Sequence, residues 1–246
     1  GCQINCSFCA TGHLGFKRVL TQYEIFEQVL SFARYLKSQG ERVTNVVFMG
    51  MGEPFLNYDN VKKAILLLND KDGFNLGQRH ISVSTSGIVP GIETFTKETW
   101  QVNLAISLHA PTNDLRSKIM PINKTYPLAQ LMPVLDDYVL KTNRKLMIEY
   151  LLLGGLNDSP KQAETLVELI GKYKNISRLS MVNLIVYNAT KDNYGHWDTF
   201  KTPDANTLKI FEDILSKNKI NWTRRVSFGR DISGACGQLA GRNLSD

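Results

Sequence analysis

Cys2, Cys6 and Cys9 stand at the start of the chain, separated by three and then two residues. Thiolates are the usual ligands of iron–sulfur clusters. Three of them on one loop can wrap three irons of a [4Fe–4S] cube and leave the fourth iron open, much as a catalytic zinc site keeps one position for its substrate. An open iron suits a ligand that offers an amino and a carboxylate group together. Two plainer readings share the spacing: a zinc site completed by a distant ligand, and unrelated buried thiols. The fourth cysteine, Cys236, lies near the other end between Ala235 and Gly237, where small neighbours leave its thiol uncrowded. A lone cysteine is more often a small buried hydrophobe. Three clustered thiols and one remote thiol do not make a secreted disulfide framework, which is spread evenly over a smaller chain.

A second group is Gly50-Met51-Gly52-Glu53-Pro54, at the end of an apolar strand. Glycines let backbone approach a ligand closely, and a carboxylate there can accept a hydrogen bond from an ammonium. The plain alternative is a tight turn with a solvated glutamate. Ser84 in Ser-Thr-Ser-Gly, the run Ser107-Leu108-His109, and Asn188 also fall at predicted strand ends. Each alone could be a turn former. Their recurrence after successive strands points to a site at the C-terminal ends of a parallel sheet, where barrel enzymes build their active sites.

The elements that must position these groups follow from periodicity. Thr21 with Glu24 reads as a capping box, followed by Ile25, Val29, Phe32, Ala33 and Leu36 at helical spacing and Gly40 as a stop. Strands are expected at Val43–Met49, His80–Thr85, Asn103–Leu108, Leu146–Leu152, Met181–Tyr187 and about Asn221–Ser227. Between them, a helix over Asp59–Leu68 should bury Val61, Ala64, Ile65 and Leu68. A short helix precedes Asn103, and another covers Leu128–Leu140. Ser159, Pro160 and Gln162 read as an N-cap, a first-turn proline and a second capping box for a helix to Ile170, and Thr202 with Pro203 opens one to Leu215. Five β-then-α units in order predict a barrel or partial barrel of parallel strands. Such a barrel would carry one more strand just before the cysteine loop, expected upstream of residue 1.

At 246 residues the chain suffices for one sizeable α/β domain. Its hydrophobic share of 43% is ordinary for a globular protein. No apolar run nears the ~20 residues of a membrane span, and the start does not resemble a signal peptide, so a cytoplasmic location is expected. A net charge of +6 suits a mildly basic housekeeping protein or one with a polyanionic partner.

The cysteine spacing ahead of an α/β repeat, with aromatic Phe8 before the last cysteine, resembles the signature of the radical-SAM superfamily. Gly50–Glu53 resembles that superfamily's element for the amino group of S-adenosylmethionine (SAM). Over essentially the whole chain the sequence is similar to the RlmN/Cfr family of radical-SAM RNA adenine methyltransferases. The likeness is carried by Ala10-Thr11-Gly12 after the cysteines, Phe48–Glu53, Ser84–Gly87, Ser107–Pro111, Met120-Pro121-Ile122-Asn123, Gly155–Ser159, Val182–Ile185, and Asp231-Ile232 ahead of Ala235–Leu239.

The resemblance implies a (β/α)6 TIM-like partial barrel over residues 1–246. In it Cys2, Cys6 and Cys9 ligate a [4Fe–4S] cluster. Gly52, Glu53, Ser84, Ser107, Leu108, His109 and Asn188 line the SAM site, and Cys236 carries the methyl group. One SAM methylates that thiol. A second is cleaved to a radical that draws hydrogen from the S-methyl group, and the carbon radical adds to an adenine ring carbon. The implied substrate is 23S ribosomal RNA, with tRNA in some members, and electrons come from a flavodoxin-like or ferredoxin-like donor. A monomer is expected. The family's resolving cysteine, which forms a disulfide with the methyl carrier, its glutamate base and its small N-terminal RNA-binding domain are all expected upstream of Gly1.

Some residues depart from the pattern. Residues 189–197 lack the prolines common after the site asparagine. Phe228 stands where carbon-2 enzymes more often have arginine, as in the carbon-8 branch, and Ser233-Gly234-Ala235 replaces the usual Asp-Ala-Ala. Carbon 2 is the main expectation and carbon 8 the other. Two rival functions are a radical-SAM enzyme of another reaction class, such as a glycyl-radical activase, and a non-catalytic iron–sulfur RNA-binding module. A methyl-carrying cysteine argues against the first and a SAM pocket against the second.

Overall fold

A computed structural model of the chain describes residues 1–187 and 200–225. Its centre is one sheet of six parallel strands in chain order. They are β1 (Val46–Phe48), β2 (Ile81–Thr85), β3 (Asn103–Ser107), β4 (Leu146–Leu152), β5 (Ser180–Val186) and β6 (Trp222–Arg224). All six expected strands are present. Among the described residues β1 and β6 pair only with β2 and β5, so the sheet is an open partial barrel.

Nine helices accompany it among the described residues: α1 (Ala10–His13), α2 (Gln22–Lys37), α3 (Tyr58–Asn69), α4 (Val89–Thr96), α5 (Asn113–Ile119), α6 (Leu128–Thr142), α7 (Pro160–Gly171), α8 (Lys174–Arg178) and α9 (Ala205–Lys217). Consecutive parallel strands require a crossover between each pair, and here the helices supply it. The main apolar core joins β2–β5 to α3, α4, α6, α7 and α9, with Leu104, Leu146 and Phe211 fully enclosed. No helix among the described residues is long and apolar enough to cross a membrane.

Local signals hold closely where their partners are local. Thr21 and Glu24 form both bonds of the capping box at the start of α2. In α3 the buried residues are Val61, Ala64, Ile65 and Leu68, as the periodicity requires. Three expectations change. Phe32 of α2 points to solvent, 69% exposed, while Ile25, Val29, Ala33 and Leu36 are half-buried. Ser159 caps α7 by accepting from Gln162 N, but Gln162 Oε1 has no partner, so the box is only half formed. Helix α9 is capped by Asp204, which accepts from Thr207 N at 2.9 Å. Thr202 is engaged elsewhere: its Oγ1 donates to Tyr187 O beyond β5.

Since the strands are parallel, all their C-terminal ends lie along one edge of the sheet. Ser84 pairs in register with Ala105, and Ser107 with Glu149. The loops that leave these strands therefore converge on one opening.

Candidate active site

A cavity of about 310 Å³ lies at that edge. Its walls include Cys2, Cys6 and Cys9, residues 48–54, Ser84–Ser86, Ser107, His109, Glu149 and Arg225. The volume lies within the range of small-ligand and cofactor sites.

The cysteine loop is held from outside and within. Ser7 donates from both N (3.0 Å) and Oγ (3.3 Å) to Ile119 O, at the end of α5. Cys9 N donates to Cys6 O at 3.1 Å, and Gly12 N to Cys9 O at 3.0 Å, which curls the loop into α1. Phe8 meets the His109 ring edge-on with centroids 5.1 Å apart. The three cysteines are free thiols. Burial, then the nearby Cys9 and Cys2, push the Cys6 thiol up to about 12. Burial also raises Cys2. Thiols so placed become thiolates only when a cation joins them. Among the described residues no three Cys, His, Asp or Glu side chains are drawn together as a closed metal site. Three soft thiol donors on one short loop, turned to one cavity, nevertheless fit the donor chemistry of an iron–sulfur cluster with an open iron.

The turn after β1 needs its glycines. Gly50 has φ 142° and Gly52 φ 143°, where an L side chain is strained. Glu53 then turns inward and joins two strand-end loops. Its Oε2 accepts from Ser86 N and Ser86 Oγ, each at 2.7 Å, and its Oε1 from Phe55 N at 3.1 Å. Burial raises its carboxyl pKa, and the Ser86 bonds oppose that rise. The carboxylate is thus largely engaged in holding Ser86.

Ser84 and Ser107 face the cavity from β2 and β3. His109 follows at φ 57°, a left-handed conformation rare for a residue with a side chain. Asn157 holds it there: Asn157 Nδ2 donates to His109 O (2.7 Å) and Leu151 O (2.6 Å), while its Oδ1 accepts from Leu153 N (2.6 Å). His109 Nδ1 accepts from Leu151 N at 3.1 Å, so a neutral ring carries its proton on Nε2. Burial, and then the Arg116 charge, lower its pKa to about 3. His109 is neutral at physiological pH and offers a donor. Leu108 differs from its neighbours. Its side chain is buried in the core, and its backbone N donates to Glu149 O at 3.0 Å.

Four polar residues around the site had no role in the sequence reading. Glu149, buried in β4, accepts from Asn183 Nδ2 at 3.2 and 3.0 Å and faces the cavity. A carboxylate inside the apolar run of β4 was the signal. Asn123 and Asn157 sit in motifs noted only for resemblance. Arg116 lies on α5, in a polar stretch for which the sequence predicts no element, and nothing marked it. Asn188 and Cys236 lie outside the described residues.

Comparison with known proteins gives consistent matches. The family model described as "Radical SAM superfamily" matches residues 1–170. A protein of Streptococcus mutans named probable dual-specificity RNA methyltransferase RlmN is 44% identical over 99% of this chain and 66% of its own length. Proteins of the same name from Listeria welshimeri (47% identical, 65% of its length covered) and Enterococcus faecalis (44% identical, 67% covered) match over 99% of this chain. The chain thus spans about two thirds of the length of these curated relatives. The crystal structure of a radical SAM methyltransferase from Sphaerobacter thermophilus superposes with TM-score 0.90 at 44% identity, covering 97% of this chain and 67% of that one. A domain of pyruvate-formate lyase-activating enzyme from Bacteroides vulgatus shares the fold alone, with TM-score 0.52 at 16% identity over 75% of this chain.

Proposed function

This chain belongs to the radical SAM superfamily and, within it, to the RlmN/Cfr family, and from that membership we propose that it is the catalytic core of an RNA methyltransferase. The proposed reaction methylates an adenine ring carbon, carbon 2, in 23S ribosomal RNA, with tRNA as a second substrate and Cys236 as the methyl carrier. The observation that supports it best is the cavity itself. Three free thiols from one loop, the turn after β1, the polar ends of β2 and β3 and Glu149 within β4 line a single space.

In this reading Cys2, Cys6 and Cys9 hold a [4Fe–4S] cluster, and SAM lies against Gly52, Glu53, Ser84, Ser107, His109 and Asn188. When bound, cluster and SAM together supply a reducing electron and a 5′-deoxyadenosyl radical. The chain's own groups bind, orient and insulate. Glu53 fixes Ser86 and so the rim after β2. The φ of Gly50 and Gly52 lets the backbone carbonyls of that turn face a ligand ammonium. His109, neutral and held by Leu151 N, presents its Nε2–H as a donor that stays protonated across the physiological range. Ser84 and Ser107 add hydroxyls for ribose or carboxylate. The apolar walls of Phe48, Ile185 and Met120 keep bulk water from the reacting atoms. Electrons come from a flavodoxin-like or ferredoxin-like donor.

The test is anaerobic reconstitution of the chain with iron and sulfide, followed by SAM and reductant. About four irons per chain, a broad visible thiolate-to-iron absorption and a methyl group on Cys236 by peptide mass spectrometry are the expected results. Stoichiometric zinc without that absorption, or an unmodified Cys236 beside an intact cluster, would count against the proposal.

A further inference from the structure

Arg116 is wholly buried, and among the described residues no partner of its guanidinium is an anion. Nε donates to Leu108 O at 3.1 Å, Nη1 to Asn123 Oδ1 at 3.0 Å, and Nη2 to Ser86 O at 2.7 Å and Ser107 O at 3.1 Å. The ion pairs among the described residues, such as Lys62 with Glu98, do not include it. Glu53 takes the N–H and hydroxyl of Ser86 while Arg116 takes the carbonyl, so the two bracket one residue without pairing. A guanidinium keeps its charge in proteins, and a buried charge is costly unless something neutralises it.

The cysteine site can supply the missing charge. Helix α5, which carries Arg116, ends at Ile119, and Ile119 O receives both donors of Ser7, the residue after Cys6. Cys6 packs on the small apolar cluster of Leu115, Ile119 and Met120 from the same region. Ser86 and Ser107, whose carbonyls hold the guanidinium, line the same cavity as Cys6.

We propose that Arg116 is the built-in counter-cation of the cysteine site, neutralised when Cys2, Cys6 and Cys9 become thiolates on the cluster, and that it locks the Ser86, Ser107 and Leu108 carbonyls around the loaded cavity. The inference rests on reading the three thiols as cluster ligands. Three thiolates outweigh the charge of the oxidised cube by one unit, and reduction adds a second. A fixed cation held behind the wall of that cavity therefore favours the reduced state and raises the potential. Arg116 is a positioning residue in this account, since it acts through the cysteines and the strand-end carbonyls.

The test compares wild type, Arg116→Gln, Arg116→Lys and Asn123→Asp, each reconstituted anaerobically. Iron content, loss of iron to a chelator and the cluster potential by spectroscopic titration are measured, with melting of the empty and loaded chains. Arg116→Gln should release iron several-fold faster. Its reduced-to-oxidised ratio should fall on the order of tenfold at a given potential, about 59 mV for a one-electron couple. It should lose more melting temperature loaded than empty. Arg116→Lys keeps the charge but cannot span four acceptors, so its potential should stay near wild type while its stability falls. Asn123→Asp sets a carboxylate on Nη1 with Arg116 in place, so its potential should shift in the same negative direction, which decides the matter even if Arg116→Gln does not fold. Unchanged potentials in both charge-altering variants, with equal melting losses empty and loaded, would make Arg116 a structural strut and overturn the inference. A wild-type chain that takes up no iron would instead sink the reading of the cysteines.

Discussion

Asn157→Ala should be among the most damaging single changes outside the cavity wall. The side chain is fully buried and makes three hydrogen bonds, to His109 O, Leu151 O and Leu153 N. Truncation leaves two carbonyls and one N–H without it. Each buried orphan costs about 1–3 kcal/mol. The deleted amide leaves room for one water to recover part of this, so the low end applies to each group and the expected loss is roughly 3 kcal/mol. The effect should also reach the site. His109 at φ 57° is held partly by the bond to its carbonyl, and a side-chain-bearing residue costs ~1–2 kcal/mol in that conformation. Freed, the turn after β3 should relax and carry His109 away from Phe8. Asn157→Asp gives a second reading. It keeps the acceptor for Leu153 N but turns a carboxylate oxygen toward two carbonyls, so it should be no more stable than the alanine variant. Urea unfolding followed by circular dichroism measures the loss, with the slope checked against wild type. A loss under about 1 kcal/mol at unchanged slope, or an aspartate variant as stable as wild type, would refute the reasoning.

Two further predictions concern cavity residues. Burial raises the Glu149 pKa above its ordinary 4.5, with Asn183 and Arg225 opposing. A raised carboxyl pKa means the folded state binds the proton more tightly than the unfolded one, so this group's contribution to stability falls as pH rises from about 4.5 toward the folded value. Glu149→Gln should remove that fall, its melting temperature gaining on wild type as pH increases through this window; a constant difference across pH would contradict it. Gly52→Ala forces a side chain into φ 143°, at a cost of roughly 1–3 kcal/mol, and should weaken SAM binding measured by calorimetry with the cluster intact. Unchanged affinity would show that the turn after β1 does not shape the SAM site.

What the sequence determined on its own was what closes within a few residues. The Thr21–Glu24 box, the buried face of α3 and the apolar runs of the six strands depend on neighbours three or four positions away, or on alternation along one segment. The spacing of Cys2, Cys6 and Cys9 is local in the same sense, so its donor chemistry could be read before any fold was known. Parallel, sequential strands then required the motifs after β1, β2 and β3 to meet along one edge.

The tertiary structure decided which group each polar side chain would find. Thr202 looked like a helix cap, but Tyr187 O, fifteen positions back, claimed its hydroxyl, and Asp204 capped α9 instead. Glu53 read as a free acceptor for a ligand, yet Ser86, 33 positions on, takes two of its bonds. Arg116 in a polar helix gave no sign of burial, because its acceptors come from the ends of two strands and from the Met120–Asn123 turn. A buried polar group must find a partner wherever the fold provides one, and the identity of that partner depends on distances through space that spacing along the chain does not encode.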